Sequence, residues 1–234
     1  MNDSRLIVAL DFSSKLEAMM FVDRIEPALC KLKVGKQLFS YCGPDIVEKL
    51  IAKGFDVFLD LKFHDIPNTV HQACKAAVNM GVWMVNVHAL GGQEMMNAAR
   101  SAVPSIGNKH KLIAVTVLTS TTDNDLKKIG INITAEDMVY KLAGAAKESG
   151  LDGVVCSAQE AVGLRRELGE EFCLVTPGIR PANTETNDQK RIQTPFDAIK
   201  SGSDYLVVGR PVTQAEDPLA SLNKIVDEIN SARI

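Results

Sequence analysis

The sequence has few of the features that mark membrane, secreted or nucleic-acid-binding proteins. Aromatic residues make up only 5% of the chain, and there is no run of eighteen apolar residues, which excludes an ordinary membrane helix. The net charge is −3 and the basic residues form no stripe or tail, so nucleic acid is a poor candidate for a partner. The first residues lead straight into a predicted strand, and we therefore expect no signal peptide.

Cysteine and histidine are too sparse and scattered to predict a disulfide framework or a metal centre. The five cysteines contain no C-x-x-C pair, and the four histidines show no metal-ligand spacing. An odd number of dispersed cysteines is typical of reduced thiols in a cytosolic protein. The sequence therefore predicts a cytoplasmic protein without a metal site.

What the sequence does contain is a regular alternation of short apolar runs and longer amphipathic stretches over its 234 residues. Eight strands are predicted, at Leu6–Leu10, Cys30–Val34, Asp56–Leu61, Trp83–His88, Leu112–Leu118, Gly153–Cys156, Phe172–Thr176 and Tyr205–Val208. Eight helices follow them in turn, at Lys15–Ile25, Gly43–Lys53, Pro67–Met80, Gly92–Ala102, Ala135–Ser149, Ala158–Leu168, Phe196–Ser201 and Pro218–Ala232.

This alternation predicts a parallel sheet covered by helices, because the strands are too apolar to have a face in water. Eight such units favour a closed (β/α)8 TIM barrel, an α/β fold that forms a single domain over residues 1–234. An open doubly wound sheet is the alternative, which the lack of a glycine-rich fingerprint after the first strand weakens. Two long connections are expected to carry function. They are Thr119–Thr134, with a short helix near Asp125–Ile129, and Pro177–Pro195, which would form a lid.

The most informative segment is Asp60-Leu61-Lys62-Phe63-His64-Asp65, at the end of the third predicted strand. Side chains alternate along a strand, so we expect Asp60 and Lys62 on one face and Asp65 in the turn before the next helix. Crowding an acid, a base and a second acid at one strand end costs stability, which indicates a function. A structural ion pair between Asp60 and Lys62 and a helix cap at Asp65 are the simpler alternatives.

The carboxyl ends of all strands in a barrel meet at one mouth, where active sites are built. Polar residues are predicted there at Asp11, Lys33, His88 and Thr119, after or within strands 1, 2, 4 and 5. Thr119 alone indicates little, and the other three have a simpler alternative. Asp11 could cap the first helix, Lys33 could extend along the barrel rim, and His88 could be a packed histidine.

The ends of the last two strands predict an anion site. A glycine and an arginine, Gly209 and Arg210, stand where a helix begins, and Arg180 follows strand 7. Backbone N–H groups at a helix start and two guanidinium groups suit a phosphate dianion, which barrels often bind with the loops after strands 7 and 8. Two surface arginines without a ligand are the alternative.

Seven segments stand in a fixed order, namely Val8-Ala9-Leu10-Asp11, Lys31-Leu32-Lys33-Val34-Gly35, Asp60-Leu61-Lys62-Phe63-His64-Asp65-Ile66-Pro67-Asn68-Thr69, Val117-Leu118-Thr119-Ser120, Thr176-Pro177-Gly178-Ile179-Arg180-Pro181, Asp188-Gln189 and Val208-Gly209-Arg210-Pro211. In this order they resemble the orotidine 5′-monophosphate decarboxylase family, and the resemblance covers essentially the whole chain. It implies a cofactor-free decarboxylation of orotidine 5′-monophosphate to uridine 5′-monophosphate and CO₂, the last step of UMP synthesis.

The resemblance also implies residue roles. Lys62 would deliver the proton to C6 of the pyrimidine, and Asp60 would sit beside the scissile carboxylate. Lys33 and Asp11 would hold ribose hydroxyls, with Lys33 also paired to Asp60, and Thr119 would contact the ring. Lys33 and Asp65 would join Lys62 and Asp60 as catalytic residues.

The remaining roles concern the phosphate and a partner subunit. Asp65 and Thr69 would cross into the neighbouring subunit's site in a homodimer, with Ile66 between them as a further substrate-binding residue. The phosphate would be held by Arg180, Gln189, Gly209 and Arg210.

Two other functions remain open. Hexulose-phosphate synthases and keto-gulonate-phosphate decarboxylases resemble this chain in fold and share the D-x-K-x-x-D strand end, but they use Mg²⁺ and carry a glutamate where this chain has Lys33. A lysine there would repel a divalent cation. A catalytically silent phosphate-binding barrel is the second alternative, but a binder needs only the phosphate end and not the charges around Asp60.

Overall fold

The computed structural model describes residues 4–104, 110–181 and 193–232, and its eight parallel strands confirm the predicted barrel. The strands pair in sequence order and the last closes on the first, so the open-sheet alternative is wrong. The strands are β1 (Leu6–Ala9), β2 (Lys31–Gly35), β3 (Val57–Phe63), β4 (Met84–His88), β5 (Lys111–Val115), β6 (Gly153–Val155), β7 (Cys173–Pro177) and β8 (Tyr205–Val208).

Helices cover the outside of the barrel. They are α1 (Lys15–Val22), α2 (Lys36–Cys42), α3 (Pro44–Ala52), α4 (Pro67–Asn79), α5 (Gly92–Ala102), α6 (Asp123–Lys128), α7 (Ala135–Glu148), α8 (Ala158–Leu168), α9 (Pro195–Lys200), α10 (Arg210–Thr213) and α11 (Pro218–Ser231), with a 3₁₀ turn at Ala89–Gly91. Within the described ranges, none of these helices has the length and apolar character needed to cross a membrane.

Three of these elements and several boundaries differ from the prediction. Helix α2 and the 3₁₀ turn begin at strand ends without a side-chain cap, so the sequence carried no start signal for them. The start of α10 at Arg210 was expected, and Pro211 lies in its first turn, but its length of only four residues was not.

The fifth strand ends at Val115 rather than Leu118, because its pairing with β4 and β6 stops there. The chain turns shortly afterwards, where Thr121 N–H donates to the Leu118 carbonyl (2.8 Å). The short helix predicted near Asp125–Ile129 is α6, which a capping box between Thr122 and Asp125 starts.

Alternation along the strands decides which side chains fill the barrel. Inward-facing apolar residues form one buried cluster, which includes Ile7, Ala9, Phe58, Met84, Ile113, Val175 and Val207. The outward-facing residues pack against the helices in a larger second cluster. Two more steps along the inward rows lead from Ala9 to Asp11, from Phe58 to Asp60 and from Met84 to Asn86. These polar residues therefore face inward at the mouth of the barrel, directly above the inward-facing core residues of the same strands.

The amino-terminal end of the barrel is closed by packed rings and a cation. Lys31 Nζ lies 4.5 Å from the centroid of the Trp83 ring and 2.6 Å from Asp56 Oδ2. The Trp83 and Tyr205 rings meet edge to face with centroids 5.0 Å apart. The amino-terminal end of the barrel is therefore filled by side chains. The space for a ligand lies at the carboxyl end, beside the charged residues.

Candidate active site

Four charged side chains alternate in sign across the mouth of the barrel. Lys33 Nζ lies 3.6 Å from Asp11 Oδ1 and 3.2 Å from Asp60 Oδ2, and Lys62 Nζ lies 2.5 Å from Asp60 Oδ1. Neighbouring strands supply them, since Asp11 follows β1, Lys33 is on β2, and Asp60 and Lys62 are on β3. The formal charges sum to zero, which makes the burial of three of these groups tolerable.

Asp60 is the most enclosed member of this row, with 8% of its surface exposed. Burial would raise the pKa of its carboxyl group. The charges of Lys33 and Lys62 and hydrogen bonds from Lys62 and Asn86 outweigh that effect and hold the pKa of Asp60 below its ordinary value. Asp60 is therefore a carboxylate at neutral pH, with a cation on each oxygen.

Lys62 owes its position to an irregular backbone. Its φ of +54° is the one positive φ that a non-glycine residue adopts in the described part of the chain. The pairing of β3 with β4 also shifts register between Leu59 and Phe63, so Lys62 lies in a bulge. The strand continues to Phe63, two residues beyond the predicted end, because pairing resumes after the bulge.

Two cavities meet at Lys33 and Asp60. The larger, about 330 Å³, is polar and is also lined by Asp11, Gly178, Arg180, Gly209 and Arg210. The smaller, about 180 Å³, is walled by apolar side chains and by Lys62 and Thr119. A ligand that spans both would place a polar end near the arginines and a flat apolar part beside Lys62.

The predicted phosphate residues lie together in the larger cavity. Gly209 is the residue before α10, and Arg210 and Pro211 open that helix. Arg180 is almost fully buried after β7, where its N–H donates to the Gln193 carbonyl (3.1 Å). Helix α10 has only four residues, so the two guanidinium groups must supply most of the attraction for an anion. Gln189 and most of the predicted lid over Pro177–Pro195 lie outside the described residues.

Three of the predicted site residues point away from this chain's own cavities. Asp65, Ile66 and Thr69 are exposed, and 67% of the surface of Ile66 faces solvent. None of them lines either of the two cavities. The Asp65 carboxylate accepts the N–H of Ile66 (2.7 Å) and does not join the charged row. Asp65, the second acid predicted near Lys62, is therefore not part of the charged row in this chain.

The structure decides the simpler alternatives for several residues. Asp11 does not cap α1, because Ser14 does so by accepting the N–H of Glu17. Asp65 does not cap α4, whose first flanking residue is Ile66. Lys33 does not extend along the rim, since 12% of its side chain is exposed and its ammonium group lies between two carboxylates.

Sequence reasoning missed Asn86, which contacts both Asp60 and Lys62. Its side chain is fully buried on β4, where Nδ2 donates to Asp60 Oδ1 (2.7 Å) and Oδ1 accepts the N–H of Lys62 (2.8 Å). An asparagine in the middle of an otherwise apolar strand, Met84-Val85-Asn86-Val87-His88, was the available signal.

Comparisons with known proteins find relatives that match almost the whole chain. Residues 4–225 match the model of the "Orotidine 5′-phosphate decarboxylase / HUMPS family". The chain is 59% identical over 232 residues to an orotidine 5′-phosphate decarboxylase of Saccharophagus degradans, covering 99% of this chain and 98% of that protein. It is 60% identical over 223 residues to the enzyme of that name from Hydrogenovibrio crunogenus, covering 95% and 94%.

A solved structure extends the match to three dimensions. The crystal structure of orotidine 5′-phosphate decarboxylase from Lactobacillus acidophilus superimposes with a TM-score of 0.87 at 39% identity, covering 97% of this chain and all of that one. Both the sequence and the barrel are thus matched over nearly their full length. The chain therefore belongs to the orotidine 5′-phosphate decarboxylase / HUMPS family.

Proposed function

We propose that this chain removes CO₂ from C6 of orotidine 5′-monophosphate and yields uridine 5′-monophosphate, using its own side chains and no cofactor. The observation that carries the proposal is the alternating row of charges at the point where a polar and an apolar cavity meet. The relatives named for this activity match the chain over almost its whole length.

The two cavities fit the two ends of the nucleotide. The phosphate would bind Arg180, Gly209 and Arg210 in the larger cavity, where the ribose hydroxyls would meet Asp11 and Lys33. The pyrimidine would enter the smaller cavity, beside Thr119. The apolar walls of this cavity suit a flat ring. Gln189 would contact the phosphate from the connection after β7.

Decarboxylation would follow from charges that favour the transition state over the bound substrate. Two carboxylates about 4 Å apart repel by about 4 kcal/mol at an effective dielectric constant of about 20. The repulsion between Asp60 and the substrate carboxylate would fade as CO₂ leaves, while the attraction of the Lys62 ammonium group for the C6 carbanion grows. Lys62 would then protonate C6, completing the replacement of the carboxyl group by hydrogen.

A magnesium-dependent reaction fits these residues less well. Both oxygens of Asp60 already face an ammonium group, at 3.2 Å from Lys33 and 2.5 Å from Lys62. A divalent cation would have to displace two positive charges to reach that carboxylate. A silent binding protein is also disfavoured, because holding a phosphate would not require this buried row.

The functional unit that we propose is a homodimer. Asp65 and the apolar Ile66 stand exposed in the β3–α4 connection, and Thr69 is exposed in the first turn of α4. Packed against a second copy, these residues would be buried, and Asp65 and Thr69 would complete the partner's site. We also propose the cytoplasm as the compartment, because five scattered, free cysteines are typical of reduced thiols in a cytosolic protein.

Loss of the orotate chromophore tests the activity directly. We expect the purified protein to turn over orotidine 5′-monophosphate at the same rate with and without EDTA. Lys62→Ala should reduce kcat by more than about 10³-fold because the proton donor is gone, while uridine 5′-monophosphate still binds. The matched control is Lys49→Ala, a lysine half-exposed on α3, which should keep the wild-type rate. Activity lost to EDTA, or retained in Lys62→Ala, would refute the proposal.

A further inference from the structure

Strand β3 carries more residues than its neighbour β4 at the active site. Leu59 pairs with Val85 and Phe63 pairs with Val87, so four steps along β3 match two steps along β4. The surplus residues include Asp60 and Lys62, and Lys62 takes a left-handed conformation that is unfavourable for lysine. A bulge of this kind inside a sheet needs other hydrogen-bond partners, because its backbone groups have left the regular ladder.

Asn86 stands opposite this bulge, between Val85 and Val87. Its Oδ1 accepts the N–H of Lys62 (2.8 Å), a backbone donor that the register shift has removed from regular pairing with β4. Its Nδ2 donates to Asp60 Oδ1 (2.7 Å). The partners fix the orientation of the amide, because an N–H can only donate and an ionised carboxylate can only accept.

The hydrogen bonds of Asn86 converge on the same atoms as the ion pair. Asp60 Oδ1 receives both Asn86 Nδ2 and Lys62 Nζ (2.5 Å), while Lys33 faces the other oxygen. Burial would raise the pKa of Asp60, and the lysine charges together with the bond from Asn86 hold it low. An apolar residue of the same size would leave a buried N–H without a partner and one bond fewer on the carboxylate.

We propose that Asn86 is a positioning residue for decarboxylation, holding the carboxylate of Asp60 and the left-handed backbone of Lys62 in one fixed arrangement. The inference rests on the proposed function, since it assigns Asn86 a part in that same reaction. Asn86 does not touch the substrate in this scheme. It keeps the repelling carboxylate and the proton-donating ammonium group on the same side of the reacting carbon, where an error of about 1 Å costs about 10²-fold in rate.

Three substitutions separate the two bonds. Asn86→Leu removes both and preserves volume, whereas Asn86→Ala removes both and leaves space. Asn86→Asp keeps an acceptor for the N–H of Lys62 but replaces the donor to Asp60 with a second acid. The control is Ser203→Ala, which removes a buried hydrogen bond to Thr176 (2.7 Å) before β8 and should lower the melting temperature without changing kcat.

The measurements are kcat and KM for orotidine 5′-monophosphate, affinity for uridine 5′-monophosphate by calorimetry, and the pH dependence of kcat. We expect Asn86→Leu and Asn86→Ala to lower kcat by about 10²-fold while product affinity changes less than about threefold. In Asn86→Asp the acidic limb of the kcat profile should move to higher pH, because two neighbouring carboxyl groups share a proton. Ser203→Ala should show neither change.

Wild-type turnover separates this inference from the proposed function. If the wild-type protein is active and a folded Asn86 variant keeps its kcat, the inference is wrong and the proposed function stands. It is also wrong if kcat and product affinity fall together, since that would indicate a merely structural role. Should Asn86→Leu and Asn86→Ala fail to fold, Asn86→Asp decides alone, and an unshifted acidic limb overturns the assignment. A wild-type protein without activity would refute the proposed function itself.

Discussion

The surroundings of His88 at the mouth of the barrel disfavour a further positive charge beside Lys62. The ring lies half-buried at the end of β4, stacked on His64 with centroids 5.5 Å apart, and its buried Nδ1 has no hydrogen-bond partner in the described part of the chain. Burial lowers the pKa of His88 most, and His64, Lys62 and Lys36 lower it further. A neutral imidazole beside Lys62 leaves the attraction between Lys62 and Asp60 undisturbed.

A pH titration tests this neutrality. The imidazole of His88 should titrate below about 6.5, the ordinary value for histidine. Between the two pKa values the unfolded chain binds more protons than the folded one, so the free energy of unfolding should fall as pH drops through that window. NMR of the ring protons gives the pKa, and urea unfolding gives the slope.

The control for this titration is His88→Gln, which should flatten the pH dependence of unfolding in the same window without a change at pH 8. A ring that titrates at or above 6.5, or an unchanged slope in the variant, would contradict the argument.

Residues at strand ends were predictable where a simple alternation places them. Asp11, Lys33 and Asp60 continue inward rows, so a period of two was enough to bring them together. Asn86 was missed because a polar residue within an apolar strand can equally be a satisfied core residue. The left-handed φ of Lys62 was also beyond prediction, since a lysine carries no signal for that conformation.

Among the elements, β6 approaches its neighbour β7 so closely at Gly153 that no side chain fits between them. It has three residues, and Gly153 opens it opposite Cys173 of β7. A Cβ placed on Gly153 would lie 2.1 Å from the Cys173 carbonyl oxygen. Two of the three nearest atoms are backbone atoms of Cys173, so β7 cannot move aside without breaking its own pairing. A glycine is therefore required at this position for space rather than for conformation.

Replacing two glycines by alanine should give opposite results. Gly153→Ala should lower the free energy of unfolding by about 3 kcal/mol or more, because the added methyl group overlaps a strand that cannot relax. Gly144→Ala is the matched control, since Gly144 lies inside α7 with nothing within 4 Å of the new Cβ. It should raise stability by up to about 1 kcal/mol through helix propensity. Urea unfolding at one protein concentration measures both, and equal effects would rule out the steric explanation.

The order of the elements was predictable from periodicity, but the presence of α2 and the length of α10 were not. Eight apolar runs alternated with eight amphipathic stretches, and each of the eight strands was found. The four-residue α10 has too few positions to show a helical period, and α2 follows β2 without any loop or cap. Both lie at the mouth of the barrel, where the chain would contact the proposed ligand and is not constrained by a regular pattern of core residues.

At the scale of the whole molecule, one barrel contains most of the proposed site. The row from Asp11 to Lys62, both arginines and both cavities lie in a single chain. The exceptions are Asp65 in the β3–α4 connection and Thr69 in the first turn of α4, which are both exposed. Sequence spacing correctly placed Asp65 after the strand, but in the homodimer that we propose, the site that Asp65 completes would depend on how two copies of the chain pack. The periodicity of a single sequence carries no information about how two copies of the chain pack.

Mixing two inactive variants tests whether the site is shared. Lys62→Ala lacks the proton donor, and Asp65→Ala lacks the group that we propose to cross the interface. A mixed dimer would have one site missing both residues and one site with neither residue replaced. Random exchange makes half of the dimers mixed, so activity should recover to about a quarter of the wild-type level. Lys62→Ala mixed with Lys49→Ala is the control, because its activity should follow only the amount of Lys49→Ala chain. Two variants that remain inactive after exchange, although each still dimerises in sedimentation runs, would place Asp65 and Lys62 in the same subunit's site.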